Sequence, residues 1–153
     1  MTSQTSQTEQ GRKTLLSVLA KSKLNDIKTC WQDTLENQSY QTIRPPQTGM
    51  VMAVARAGSS GEPFNLGEVS VTRCAIRLDS GETGVGYVTG NSKDHALHIA
   101  VIDALSQTED QQQPLQRDVI KPLQKKLQLL KKQQQEKADA TKVDFFTMVR
   151  GED

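Results

Sequence analysis

Apolar residues recur along this chain with changing period, and each change marks off a region. Leu15, Leu16, Val18 and Leu19 form one apolar face of a short helix over residues 13–21. Ile27, Cys30, Trp31, Thr34 and Leu35 fall at i, i+3, i+4, i+7 and i+8, which predicts a second helix with Asn25 as its N-cap. The pattern then becomes extended. Tyr40 to Arg44 reads as a short strand closed by Pro45-Pro46, which cannot continue a central ladder. Met50 to Arg56 is a strand with weak alternation. Val69 to Leu78 is another, and its phase changes: Val69 and Val71 share one face, Cys74, Ile76 and Leu78 the other, which predicts a bulge near Thr72-Arg73. Asp79-Ser80-Gly81-Glu82 is a turn, and Thr83 to Thr89 returns as a glycine-spaced strand, giving an antiparallel hairpin.

From Asp94 to Gln107 the period is helical again. Leu97, Ala100, Val101, Ala104 and Leu105 make one stripe, with small alanines that permit close packing on a sheet. Gln111-Gln112-Gln113-Pro114 reads as a linker. A last helical stretch carries Val119, Leu123, Leu127 and Leu130, with Pro122 near its start. The order helices, antiparallel sheet, helices predicts an α+β fold: short N-terminal helices, a small antiparallel sheet with a helix packed on it, and a C-terminal helix followed by an apolar tail. Residues 1–12, rich in Ser, Thr and Gln, are expected to be a disordered tail, and 13–153 a single domain.

Composition adds one constraint. With glycine counted, roughly 40% of the chain is nonpolar, against about 45–50% for an ordinary globular domain. The aromatics are Trp31, Tyr40, Phe64, Tyr87, Phe145 and Phe146. Such a core is aliphatic and small, so association with other chains is expected to supply part of the stability. The net charge of +1 sets up no global field for nucleic acid or anionic lipid. Five lysines and no acids stand between Lys121 and Lys132. They form either a solvated helix face or a nucleic-acid patch, and no aromatic is interleaved with them as a stacking platform would require. Cys30 and Cys74 have no close partner spacing and read as reduced thiols. The first residues lack the apolar stretch of a signal peptide, and no run approaches the roughly 18 apolar residues of a membrane span, so a soluble, cytoplasmic protein is expected.

Several residue sets carry candidate chemistry. The loop from Gly58 to Glu68, opening Gly58-Ser59-Ser60-Gly61, offers three glycines, two hydroxyls and exposed amides that either cradle a phosphate group or serve only the turns and the close approach of neighbouring backbone; it is not a GxxxxGK[ST] loop. Arg73 and Arg77 emerge on one face of a strand. They face water, meet carboxylates across a subunit contact, or bind a polyanion. His95 and His98, three apart at a helix start, lack the further ligands a structural metal site needs, so no metal is expected. His95 is a helix-terminal hydrogen-bonding residue or a proton carrier that could join an anion site. Neither cysteine nor Ser59-Ser60 has an activating partner in the sequence, and no catalytic residue is assigned. Phe64, in mid-loop, reads as an anchor into the core or a neighbour. The run Lys142 to Gly151 holds Phe145, Phe146, Met148 and Arg150 after a charged, glutamine-rich helix, and an apolar tail of this kind needs burial on its own domain or on a partner.

That ending, VDFFTMVRG, resembles the PhnG family of the bacterial carbon–phosphorus lyase system. Leu16 to Ser22 is similar to the family's opening block. Gly61 to Glu68 and Val71 to Leu78 resemble its centre, and Gly84 to Leu105 the strand and helix that follow. Together these stretches reach from about residue 15 to 151, in order. The family's usual Gly-Arg-Asp-Lys is here Gly90-Asn91-Ser92-Lys93, and a glutamate after the histidine is here Leu97. The resemblance implies a subunit assembled with PhnH, PhnI and PhnJ in two copies each, assisted by PhnL. It implies support for a reaction in which a phosphonate displaces adenine from ATP to give a ribose 1-phosphonate 5-triphosphate, with ATP a substrate of the complex and no cofactor on this chain. A scaffold role is expected, with a shared phosphate or phosphonate site as the alternative and the lysine-rich helix on nucleic acid as the second.

Overall fold

Alanines at 96, 100 and 104 recur every four residues and so line one stripe of a helix, while Gly84 and Gly86 alternate onto one face of a strand. In the structure, a computed structural model that describes residues 2–58 and 61–140, these two small-residue surfaces meet. A Cβ on Gly84 would stand 1.9 Å from the Ala100 carbonyl oxygen, and one on Gly86 1.8 Å from that of Ala96. Helix backbone therefore lies directly on strand backbone. This contact organises the fold.

The strands are β1 (Tyr40–Arg56), β2 (Pro63–Leu78) and β3 (Thr83–Thr89), antiparallel in the order β1-β2-β3. The helices are α1 (Thr2–Lys21), α2 (Leu24–Glu36), α3 (Lys93–Leu105), α4 (Glu109–Leu115) and α5 (Lys121–Ala140). This is the expected α+β architecture. Ser92 caps α3, its Oγ accepting the His95 backbone N–H at 3.3 Å. Helix α3 lies between two layers. The sheet covers its alanine stripe, and α1, α2 and the start of the C-terminal helical rod pack on its other sides. Leu19, Ile27, Ile76, Ile99, Ile102, Leu115 and Ile120 are fully buried there, an aliphatic core as expected.

Several boundaries differ from the sequence expectations, each for a local reason. Pro45-Pro46 does not end a strand. β1 is the edge strand, where missing N–H groups are tolerated, and its register against β2 shifts between Thr42 and Arg44 and between Arg44 and Gln47 to pass the prolines. No bulge stands at Thr72-Arg73 in the β2–β3 pairing, which runs unbroken from Val71↔Thr89 to Arg77↔Thr83. Val69 and Val71 are out of phase because they lie on the face that α3 does not cover. Helix α2 begins at Leu24 with Lys23 as its cap position, so Asn25 is inside the helix. The side chains of Trp31, Thr34 and Leu35 lie outside the described residues.

The expected linker at 111–114 is helical, within α4. It runs through a π-helical segment, Gln116–Ile120, into α5. Pro122 lacks an N–H, and its ring crowds the carbonyl four residues back. Immediately before it the chain takes the wider turn, with the Lys121 N–H bonded to the Gln116 carbonyl. The expected tail over 1–12 is helical from Thr2, and Arg12 is tied into the core by Asp103. Among the described residues no helix is long and apolar enough to cross a membrane.

Candidate interaction surface

Because α3 covers one face of the sheet, β2 divides its residues by face from Thr72 onward, whereas Val71, just before, is buried although it lies on the open face. Thr72, Cys74, Ile76 and Leu78 are buried beneath the helix, and Arg73 and Arg77 project from the other face, exposed. Strand pairing fixes their neighbours. Arg73 stands between Gln47 and Tyr87, Ala75 between Arg44 and Val85, and Arg77 between Gln41 and Thr83. Directly paired residues share a face. Arg44 therefore joins Arg73 and Arg77, set diagonally between them. No aspartate or glutamate is paired onto this open face; Glu68 pairs with Met52 and belongs to the opposite one. The ion pairs among the described residues use Arg12, Arg117, Lys126 and Lys132, and none of these three arginines.

Beyond the end of β3 the β1–β2 hairpin continues alone, as an arm formed by Met50–Arg56 and Pro63–Ser70. Its weak alternation in sequence means that both faces are apolar. Val51 and Val69 extend the open face; Met52 and Val54 lie on the reverse, where α3 does not reach. Leu66 sits at a register shift between Ala53 and Val54 and is 67% exposed. Of the twelve exposed large hydrophobic residues among those described, ten lie on the three strands and two, Leu129 and Leu130, on α5. Exposed apolar surface gathered this way marks a contact surface rather than scattered chance exposure.

The residues expected to bind an anion are not brought together. Gly58, at φ +69°, and Gly61 close the tip of the arm, where Arg56 Nη1 donates to the Gly61 carbonyl at 3.1 Å. A Cβ on Gly61 would lie 2.1 Å from the Ala57 carbonyl oxygen, so this glycine is required by the turn itself. Ser59 and Ser60 lie outside the described residues. Arg73 is a further ten residues down β2 from Pro63, about 33 Å at the usual rise. His95 is on the opposite, buried face. Its Nε2 lies 3.2 Å from the Leu19 carbonyl oxygen, and burial lowers its pKa, so the neutral ring donates that bond and fastens α3 to α1. His98 Nδ1 is bonded instead to the Asp94 carbonyl, at 2.7 Å. No cluster of three or more His, Cys, Asp or Glu side chains exists among the described residues.

The expected loop up to Glu68 is strand from Pro63 onward, so Phe64 stands in β2; it is 47% exposed and pairs with Ala55 on the open face, and does not anchor in its own core. Phe145, Phe146, Met148 and Arg150 lie outside the described residues. Two of the five lysines between 121 and 132 are ion-paired, Lys126 with Asp26 and Lys132 with Glu136. Sequence reasoning missed Arg44, because the prolines beside it read as a strand end. It also left Asp103 unexplained, although a single carboxylate inside Ile99-Ala100-Val101-Ile102-Asp103-Ala104-Leu105 signals a buried partner. That partner, Arg12, borders an open cleft of about 1040 Å³ lined by amides, among them Gln10, Gln107, Gln113 and Gln116.

Residues 10–151 match the family model of the phosphonate metabolism protein PhnG. The chain belongs to the PhnG family. It is 36% identical over 138 residues to the alpha-D-ribose 1-methylphosphonate 5-triphosphate synthase subunit PhnG of Rhizobium meliloti strain 1021, a match covering 90% of this chain and 88% of that protein. The PhnG match takes in the whole sheet, the arm and α2 to α5. The two central stretches that resemble PhnG in sequence, Gly61 to Leu78 and Gly84 to Leu105, are the ones that build β2, β3 and α3. In this PhnG-family chain they supply the glycine–alanine contact and two of the three arginines of the open face, Arg73 and Arg77.

Proposed function

We propose that this chain is a scaffold subunit of a cytoplasmic ribose 1-methylphosphonate 5-triphosphate synthase in phosphonate breakdown, holding its partners while a phosphonate displaces adenine from ATP. The relative from Rhizobium meliloti carries that activity in its name, as a subunit. The observation that carries the scaffold role is the arm, a two-stranded ribbon with exposed apolar side chains on both faces, Val51, Phe64 and Val69 on one and Met50, Met52 and Val54 on the other. An isolated ribbon of this kind gains little by itself. Burying it in another subunit recovers about 25 cal/mol for each Å² of apolar surface. The partners are PhnI, PhnH and PhnJ, with PhnL assisting, and ATP and the phosphonate are substrates of the assembly. Two unpaired thiols, Cys30 and Cys74, suit a reducing compartment.

The test is co-expression of the tagged chain with these three partners, followed by purification and an assay of adenine release from ATP with methylphosphonate. Met52→Asp with Val54→Asp is expected to abolish co-purification and adenine release while leaving the isolated chain folded by circular dichroism. A doubly substituted chain that still assembles and supports full adenine release would remove the scaffold role.

A further inference from the structure

The arm accounts for apolar burial but leaves the open sheet face unexplained, because that face combines two chemistries. Val51 and Val69, toward the arm, and Val85 and Tyr87, on β3 beside the arginines, are exposed, between 38% and 49%. Among them Arg44, Arg73 and Arg77 stand within two steps of strand pairing, Arg73 directly opposite Tyr87, and none has an ion-pair partner among the described residues. Arg73 and Arg77 are about 13 Å apart along β2 at the usual rise, with Arg44 set between them on the neighbouring strand. We infer that this face docks a second protein chain, a different subunit, which lays carboxylates against the three arginines and an apolar strip against the valines and Tyr87. The inference rests on the scaffold reading above and names which face is covered and by what chemistry.

Three observations choose this occupant. A pleated sheet face is broad and offers no enclosing pocket, whereas sites for small ligands are concave; the described cleft lies elsewhere, beside Arg12. A free triphosphate or phosphonate would also have no use for the apolar half of the patch. Arginine and tyrosine beside aliphatic side chains are instead the composition of a protein interface. A second copy of this chain is disfavoured by charge. An isologous contact presents the same patch from both sides, and this patch holds three arginines and no carboxylate to meet them. The complementary charge must come from another chain.

The test uses the complex assembled from the full-length chain and its co-expressed partners. Arg73→Glu with Arg77→Glu is expected to weaken assembly by at least roughly tenfold, since a like charge then faces each carboxylate. Arg73→Ala with Arg77→Ala should weaken it less and flatten its dependence on salt. In a second measurement, Arg73→Lys places an amine at the interface, and a zero-length carbodiimide should couple it to an aspartate or glutamate of a different subunit, read by mass spectrometry. Coupling only within the chain or to a second copy would overturn the inference. So would full assembly of the charge-reversed pair at unchanged salt dependence. If that pair assembles normally yet loses adenine release, the arginines serve a small anion and the docking assignment is wrong. Failure of the unsubstituted chain to assemble would instead remove the scaffold reading, and this inference with it.

Discussion

Arg12 and Asp103, 91 residues apart, meet in a two-pronged ion pair: Nε donates to Oδ1 and Nη2 to Oδ2, each at 2.7 Å. The Asp103 side chain is fully buried, the Arg12 side chain 40% exposed. The same carboxylate accepts the Val85 backbone N–H at 2.8 Å, so one group joins α1, α3 and β3. The carboxylate holds the Arg12 pKa above its ordinary value. Removing the arginine strands a buried charge, which costs more than the pair is worth. We expect Arg12→Ala to destabilise the protein by about 2–4 kcal/mol, the lower part of the range reflecting the exposure of Arg12. Asp103→Asn on top of it should restore part of that loss by removing the stranded charge while keeping an acceptor for Val85. Urea midpoints for the two single variants and the double one measure this; a double variant weaker than Arg12→Ala alone would contradict the account.

Substitution at the glycines of β3 should separate close approach from conformational freedom. Gly84→Ala and Gly86→Ala each put a methyl group inside 2 Å of α3 backbone, which neither a rotamer change nor a side-chain shift can relieve. A loss of about 3 kcal/mol or more is expected, the upper end of overpacking costs. Gly49→Ala is the control, since nothing lies within 4 Å of its Cβ position and its backbone is not left-handed. It should leave the melting temperature within a degree or two of the parent, or raise it slightly. Equal losses at Gly49 and Gly86 would mean that α3 does not rest on the strand as described.

What the sequence revealed depended on how local the cause was. Period and turn residues placed α3, β3 and the turn after Leu78, because the stripe from Leu97 to Leu105 and the turn Asp79-Ser80-Gly81-Glu82 act over a few residues. The length of β1 was hidden, since Pro45-Pro46 is a stop signal in a central strand and tolerable at an edge, and edge position is a property of the finished sheet. The same misreading hid Arg44. The open face could be glimpsed in the phase change between Val69 and Cys74, but which phase faced the helix depended on where Gly84 and Gly86 would pair. Asp103 needed a partner 91 residues away, beyond any periodicity.

Burial makes His95 an acid-sensitive point. Its folded pKa lies below the ordinary 6.5, first because the charged ring is desolvated, although the Leu19 carbonyl opposes the shift. Nearby His98 adds to the lowering. The unfolded chain therefore binds more protons than the folded one once pH drops below about 6.5, and stability falls from there down to the folded pKa. Above about pH 7 the imidazole is neutral in both states and contributes no slope. Chemical denaturation at pH 7.5 and 5.5 should show the loss, and His95→Gln should reduce it. An unchanged slope in that variant would assign the acid sensitivity to other groups.

Cys74 offers a direct probe of whether α3 leaves the sheet as a unit. The side chain is 3% exposed, on the face beneath α3, and a Cβ at the facing Gly86 would lie 3.1 Å from its sulfur. Burial raises its thiol pKa, with a smaller opposing effect from the Gly86 backbone. The thiolate that reacts is thus both scarce and covered. Cys30 also has a raised pKa, from burial and then Asp26, but it is only half-buried. Iodoacetamide at neutral pH should therefore label Cys30 first, and Cys74 only at the rate at which α3 lifts away. Gly86→Ala, which forces helix and strand apart, should speed labelling of Cys74 far more than that of Cys30. If both thiols of the folded parent reacted at one rate, the helix would not be seated on β3, and the glycine–alanine contact could not be what orders the sheet.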